Sequence, residues 1–116
     1  MFLALMCCTS MSSYEWTLIS NAGDVPIAWA GHSMTVLPDG TVVKFGGYNG
    51  DYEHSNAVHK LTVSSTTATW MQLSGSGIVP SARHSHTMVA LDDGTAVMFA
   101  GWDFWEAEPK EDTFKL

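Results

Sequence analysis

Basic residues are scarce in this sequence: five Lys or Arg stand against twelve Asp or Glu in 116 residues, which gives a net charge of −7 with histidine neutral. Phosphate backbones and anionic lipid headgroups are bound by clustered Lys and Arg. The bases here are scattered singly, at Lys44, Lys60, Arg83, Lys110 and Lys115. We therefore expect no nucleic acid and no membrane surface among the partners of this chain.

Cysteine and long apolar runs are also scarce. Cys7 and Cys8 are adjacent and are the only two cysteines, so no disulfide framework is expected. No run approaches the roughly 18 to 20 apolar residues that cross a bilayer. The apolar start lacks the positive residues and the clear cleavage site of a secretion signal. We predict a loose leader over residues 1–13 and a cytoplasmic protein, or a secreted one if the leader is a signal.

A helical pattern is missing as well. Apolar residues do not recur with the period of an amphipathic helix, and Thr, Val, Ser and Gly dominate. Short alternating segments between turn residues predict an all-β chain, with tight hairpins at Pro38-Asp39-Gly40 and Asp92-Asp93-Gly94. We predict eight strands, within residues 14–20, 30–37, 41–47, 56–63, 68–74, 84–91, 95–101 and 112–116.

What the sequence does contain is a duplication. The stretch that begins at Trp16 and the stretch that begins at Trp70 share their landmarks at a constant distance of 54 residues. A fixed period indicates repeated units with hydrophobic faces that no unit buries alone. Four strands per period of about 50 residues are typical of a β-propeller blade. The matched pairs are Trp16 and Trp70, Pro26 and Pro80, His32 and His86, Met34 and Met88, Gly40 and Gly94, Phe45 and Phe99, and Gly47 and Gly101.

The repeated residues resemble one propeller family in particular. In each copy a Pro precedes a His-Ser or His-Thr pair, and an apolar strand then ends in Gly46-Gly47 or Ala100-Gly101. This pattern resembles the kelch repeat, whose usual arginine is present as Arg83 and replaced by Trp29 in the first copy. The resemblance implies an all-β, kelch-type β-propeller segment of about two four-stranded blades.

Two blades make an incomplete ring, since rings of this kind use about four to eight blades. We place the first unit, with its preceding strand, at about residues 14–74 and an incomplete second unit at 75–116. The chain is expected to be a fragment or truncated member of the family, or a segment that self-associates to complete a propeller.

The recurring landmarks predict packing between blades. A pair of small residues permits close packing near a propeller axis, and a recurring His or Trp packs against a neighbouring unit. Arg83 has a second interpretation, contact with an anionic ligand, and His84-x-His86 puts two imidazoles on one strand face, a weak zinc signal. We expect no metal and no cofactor. The structural landmarks are Trp16, His32, Gly46, Gly47, Trp70, Arg83, His86 and Gly101.

Function is expected in the two loops that differ between the copies, residues 48–55 and 102–111, because the strands are committed to packing. Both loops combine aromatic and acidic residues, and aromatic clusters often anchor protein interfaces. We predict a protein-interaction scaffold that binds its partner through these loops; the alternative is that the rings cover neighbouring blade edges. The predicted contact residues are Tyr48, Tyr52, Trp102, Phe104 and Trp105.

The competing class of function is an enzyme. Some kelch-type propellers are metal-dependent enzymes, galactose oxidase-like copper proteins among them, and the resemblance leaves open that this chain is part of one. The sequence has no nucleophile elbow and no H-E-x-x-H zinc motif. We therefore favour the scaffold, and expect the catalytic residues of any such enzyme to lie outside this chain.

Overall fold

The computed structural model describes residues 12–27 and 29–116. Within those residues it contains ten strands and no helix, which confirms the all-β prediction. Most of the predicted leader, residues 1–11, lies outside the described part. The strands are β1 (Ser20–Gly23), β2 (Ser33–Val36), β3 (Val42–Phe45), β4 (Val58–Val63), β5 (Thr67–Leu73), β6 (Thr87–Ala90), β7 (Ala96–Phe99), β8 (Trp102–Asp103), β9 (Glu108–Pro109) and β10 (Thr113–Lys115).

The strands form two blade-like sheets and a small hairpin. The first sheet has the order β1-β5-β4-β3-β2, in which β2 to β5 are an antiparallel meander and β1 pairs in parallel with the outer edge of β5. The second sheet has the order β10-β7-β6, and β8 pairs with β9. The sheets do not close on themselves, as predicted for a partial propeller.

The two hairpin turns are built alike because the sequence repeats. Gly40 and Gly94 adopt φ values of +86° and +87°, which glycine reaches without steric cost. The Asp39 carboxylate accepts a hydrogen bond from the Thr41 amide at 2.9 Å, and Asp93 accepts the equivalent bond at 3.0 Å. Hydrogen bonds from the Thr41 amide to Asp39, and from the Thr95 hydroxyl and amide to Asp93, lower the pKa of both aspartates and stabilise each turn.

The hydrophobic core follows the central strands. In the first sheet, β3 is buried along both faces, and even Lys44 is only 5% exposed, with its Nζ donating to the Gly46 carbonyl oxygen at 3.0 Å. Burial lowers the pKa of Lys44. The buried apolar side chains are Val43, Phe45, Leu61, Ala68, Ala96 and Met98.

The prediction of a first strand at residues 14–20 is wrong. Pairing begins only at Ser20, and Tyr14, Trp16 and Leu18 are 76%, 89% and 99% exposed. The expected equivalence of Trp16 with the half-buried Trp70 therefore does not hold. A strand needs a hydrogen-bonded neighbour, and the outer edge of β5 is occupied by β1.

The two blades lie side by side through their inner strands, β2 and β6. The Ala90 amide donates to Thr35 Oγ1 at 3.1 Å, and the Ser85 amide donates to the Gly31 carbonyl oxygen at 2.8 Å. These contacts place the loops that follow β3 and β7 on the same end of the pair of blades.

Candidate functional site

The junction between the blades forms on the glycine pair that ends β3. Gly46 has a φ of +70°, and a Cβ there would lie 2.6 Å from the Arg83 carbonyl oxygen and 2.7 Å from His86 Cε1. Gly47 has a φ of +110°, and its amide donates to the same Arg83 oxygen at 2.9 Å. The second blade therefore packs directly on the backbone of this pair, where only glycine leaves room.

His86 fills this junction. It is 6% exposed, its ring meets that of Phe45 edge-on at 5.1 Å, and its Nε2 lies 2.6 Å from Ser33 Oγ. Burial, followed by the charge of Arg83, lowers the pKa of His86 to about 4. The imidazole is therefore neutral at pH 7, and the bond to Ser33 joins two neutral groups across the junction.

Arg83 lies 1% exposed beneath the second blade, and the partners of its guanidinium belong to that blade. The guanidinium forms a two-pronged ion pair with Asp112, at 2.5 and 3.1 Å, and lowers the pKa of that carboxyl. It also donates to the carbonyl oxygens of Ser81 and Ala100, at 3.2 and 3.1 Å, and its carbon lies 5.7 Å from the Phe114 ring centre. The N–H groups of the guanidinium are therefore engaged in contacts within the fold.

The two histidines of His84-x-His86 do not share a face, so the basis of the zinc alternative is wrong. Ser85 between them has a φ of +59°, which breaks the alternation of an extended strand. His84 consequently turns toward Tyr48, at 4.7 Å between ring centres, whereas His86 turns into the junction. Within residues 12–27 and 29–116, no group of three or more His, Cys, Asp or Glu is arranged to hold a metal ion.

The loop of residues 48–55 is shaped by Asn49. Its side-chain oxygen accepts a hydrogen bond from the Asp51 amide at 2.8 Å, and its amide nitrogen donates to the Glu53 carboxylate at 2.5 Å. Gly50 and Tyr52 both have positive φ, +90° and +66°, so the chain turns sharply between them. This turn leaves the Tyr52 ring 70% exposed.

The loop of residues 102–111 is shaped by Asp103, which is 2% exposed. Its carboxylate accepts hydrogen bonds from the amides of Trp105 and Glu106, at 2.9 and 3.2 Å. Burial raises the pKa of Asp103, but the hydrogen bonds from Ser81, Glu106 and Trp105 outweigh it, so the pKa is lowered overall. The anchored turn presents Phe104 half-buried and Trp105 76% exposed.

The two loops meet through a continuous series of rings. His54 stacks on Phe104 at 5.0 Å between ring centres, Tyr52 lies 5.4 Å from Phe104, and Trp105 meets Phe104 edge-on at 5.7 Å. Beneath them, His54 lies 5.2 Å from His84 and 5.7 Å from Tyr48. We call this cluster the loop surface; it consists of Tyr48, Tyr52, His54, His84, Phe104 and Trp105.

Of the five predicted contact residues, the structure brings four into the loop surface. Tyr52 and Trp105 form its exposed part, Phe104 joins them, and Tyr48 supports them from below. Trp102 instead belongs to β8, pairs its backbone with His84 and is 39% exposed. Its indole is not among the stacked rings in the part of the chain that the structure describes.

Two members of the loop surface, His54 and His84, are not among the contact residues predicted from the sequence. His54 is half-buried between the loops, and neither of its ring nitrogens has a hydrogen-bond partner among the described residues. Burial, and then the charge of His54, lowers the pKa of His84. The signal in the sequence for His54 is its position among the aromatic residues of the first variable loop, since imidazole stacks as an aromatic ring. His84 lies outside both loops, and the fold brings it to them.

The chain is similar to known proteins in sequence and in fold. Residues 3–116 match the sequence model of the KLHDC2/KLHL20/DRC7 Kelch-repeats domain. Acyl-CoA-binding domain-containing protein 4 of Arabidopsis thaliana is 28% identical over 86 residues, which are 74% of this chain and 12% of that protein. A chain in the cryo-EM structure of RAG in complex with one melted RSS and one unmelted RSS is similar in fold, with a TM-score of 0.53 and 24% identity over 77% of this chain and 27% of that one.

Proposed function

The chain belongs to the kelch-repeat family, whose domains are generally protein-interaction scaffolds, and from this premise we propose that it binds a partner protein through the loop surface. It spans about one eighth of the Arabidopsis relative and about a quarter of the solved chain that it matches. The proposal therefore concerns only the surface that these two repeats form.

One observation carries this proposal: the exposed rings of both variable loops form one patch. Tyr52 and Trp105 are 70% and 76% exposed, although each lies within reach of Phe104. Large aromatic side chains at the centre of an interface contribute a disproportionate share of binding energy. The rigid turns at Asn49 and Asp103 hold the rings in place, which reduces the entropy lost on binding.

The test is a photo-crosslinking amino acid, p-benzoylphenylalanine, in place of Tyr52 in the full chain inside cells. The matched control carries it at Val63, which is 59% exposed at the opposite end of β4. We expect a defined protein adduct at Tyr52, absent at Val63 and reduced by Trp105→Ser. Equal adducts at both positions would contradict the proposal. With the purified partner, Trp105→Ser is expected to weaken binding about tenfold or more.

We also propose self-association, because each end of the blade pair carries half of a junction. Phe99, the equivalent of the buried Phe45, is 49% exposed, and Thr87, the equivalent of Ser33, is exposed. At the other end His32, the equivalent of His86, is exposed, with its Nδ1 donating to the Trp29 carbonyl oxygen at 3.0 Å. A second copy that docks His32 beside Phe99 would repeat the junction.

Ala100 limits this self-association. Ala100 is the equivalent of Gly46, the residue on which His86 packs, and a Cβ at Gly46 would lie 2.7 Å from the imidazole. The Cβ of Ala100 therefore obstructs the docking of His32 from a second copy. We therefore expect weak association that Ala100→Gly strengthens. Light scattering over a concentration series measures it, with a larger mean mass expected for the variant than for the natural chain. The same monomer mass for both proteins at every concentration would refute self-association. The proposal for the loop surface does not depend on that result.

A further inference from the structure

The charged residues of the two variable loops, residues 48–55 and 102–111, are mostly acidic. Residues 48–55 and 102–111 contain one of the five basic residues of the chain and five exposed acidic residues, Asp51, Glu53, Glu106, Glu108 and Glu111. That base, Lys110, is paired with Glu106 and Glu108. Asp51 is exposed next to Tyr52, and Glu111 is exposed at the end of the second loop. We call the exposed acidic residues of the two loops the rim; an approaching partner meets their negative charge.

The rings inside this rim add attraction for the same kind of group. The faces of Tyr and Trp rings carry negative electrostatic potential and attract cations. Tyr52 and Trp105 are the most exposed rings of the loop surface. Burial lowers the pKa of His84, which disfavours a positive charge on this imidazole beneath the rings.

We propose that the loop surface recognises arginine side chains in a basic segment of the partner, an inference that rests on the proposed function. A guanidinium is planar, so it stacks on the rings of Tyr52 and Trp105 while its N–H groups reach the carboxylates of the rim. A lysine ammonium makes the electrostatic contact without the stacking. An acidic or phosphorylated segment is repelled by the same rim.

The experiment uses the full chain and four synthetic peptides of one length. The probes are Gly-Arg-Gly-Arg-Gly and the same peptide with both arginines replaced by lysine, by citrulline, or by glutamate. Citrulline keeps the planar shape and removes the charge. Binding is followed by NMR shifts of the protein amides and aromatic protons. We expect the arginine peptide to bind best and to shift Tyr52, Phe104 and Trp105, with about tenfold weaker binding for citrulline and weaker binding at higher salt.

Two variants sharpen the result. Trp105→Ser is expected to abolish most of the shift, whereas Val63→Ser, at the opposite end of β4, is expected to leave it unchanged. Asp51→Asn removes one charge of the rim without removing a ring, and an approximately twofold to threefold loss is expected. If the arginine peptide shifts residues elsewhere, or if the lysine, citrulline or glutamate peptide binds as well, the inference is wrong.

Failure of the inference is distinguishable from failure of the proposed function. If the crosslinker at Tyr52 captures a partner through a neutral or acidic segment, the loop surface binds protein but does not select arginine. If no adduct forms at Tyr52 and no peptide shifts the rings, both proposals fail.

Discussion

The two copies of the repeat share a sequence pattern but differ in what lies beside them. His86 is 6% exposed and His32 is exposed; Phe45 is 3% exposed and Phe99 is 49% exposed. In each pair the buried residue is the one that contacts the other blade. The landmark residues are therefore interface residues, and their burial depends on the neighbouring unit rather than on their own strand.

A second difference lies within the blades. The second copy has the ion pair of Arg83 and Asp112, whereas the first has Trp29 and Ala57, whose carbonyl oxygen accepts from Gly46 as that of Asp112 accepts from Ala100. Both members of the pair change together. The Arg83 side chain is 1% exposed and the Asp112 side chain 42% exposed, so the cost of desolvating the guanidinium offsets part of the attraction, and apolar residues are an alternative at these positions.

The largest expected effect comes from breaking the ion pair. Arg83→Ala should destabilise the chain by about 3 kcal/mol, because it removes a buried guanidinium with hydrogen bonds to Asp112, Ser81 and Ala100. Urea unfolding followed by circular dichroism measures the change. R83W/D112A, which transplants the pair of the first copy, should be more stable than R83A. Equal loss in both variants would contradict the view that the two pairs are alternatives.

The next effect is expected at the junction. Gly46→Ala should cost about 2 kcal/mol, because its Cβ would meet His86 and the Arg83 carbonyl and its φ is positive. The matched control is Ala100→Gly at the equivalent position, where an alanine already has a φ of +64°. This change should be neutral or stabilising in the same unfolding assay. A Gly46→Ala variant as stable as the natural chain would mean that the blades do not pack on this glycine.

His86 gives the junction a pH dependence. Unfolded histidine binds a proton below about pH 6.5, whereas folded His86 does so only near its lowered pKa of about 4. Its contribution to stability is therefore present above pH 6.5 and lost as the pH falls toward 4. Between pH 7 and pH 5 the natural chain should lose more stability than His86→Gln. His32→Gln, at the exposed equivalent, should keep the natural profile; identical profiles for all three proteins would refute the burial of His86.

The smallest effect on stability is expected from the loop surface. Tyr52→Ser and Trp105→Ser should change the free energy of unfolding by no more than about 0.5 kcal/mol, because these rings are mostly exposed. The same unfolding assay checks this. A loss of several kcal/mol on either substitution would mean that the rings serve packing, and the proposal of a binding surface would have to be withdrawn.

The period of 54 residues was sufficient to predict the hairpins, their turns and the blade-like sheets, because turn chemistry and strand patterning are local. Gly46 and Gly47 lie where the second blade packs closely on the first. The family match over residues 3–116 confirms the resemblance to the kelch repeat.

The positions that the sequence did not predict depend on neighbours distant in the chain. Residues 14–19 have the pattern of a strand, but β1 occupies the edge of β5. His84 and His86 were expected on one face, and the positive φ of Ser85 separates them. His54 joins the loop surface only because the second loop brings Phe104 onto it, 50 residues later. Burial of this kind depends on tertiary contacts that a single sequence does not display.

The most direct measurement is a nuclear Overhauser spectrum of the aromatic side chains in the full chain at pH 7. Rings from both variable loops should show through-space contacts, with cross-peaks between His54 and Phe104 and between Tyr52 and Phe104, which lie 5.0 and 5.4 Å apart between ring centres. Cross-peaks confined within each loop would show that the two loops do not meet, and the account of a single binding surface would be wrong.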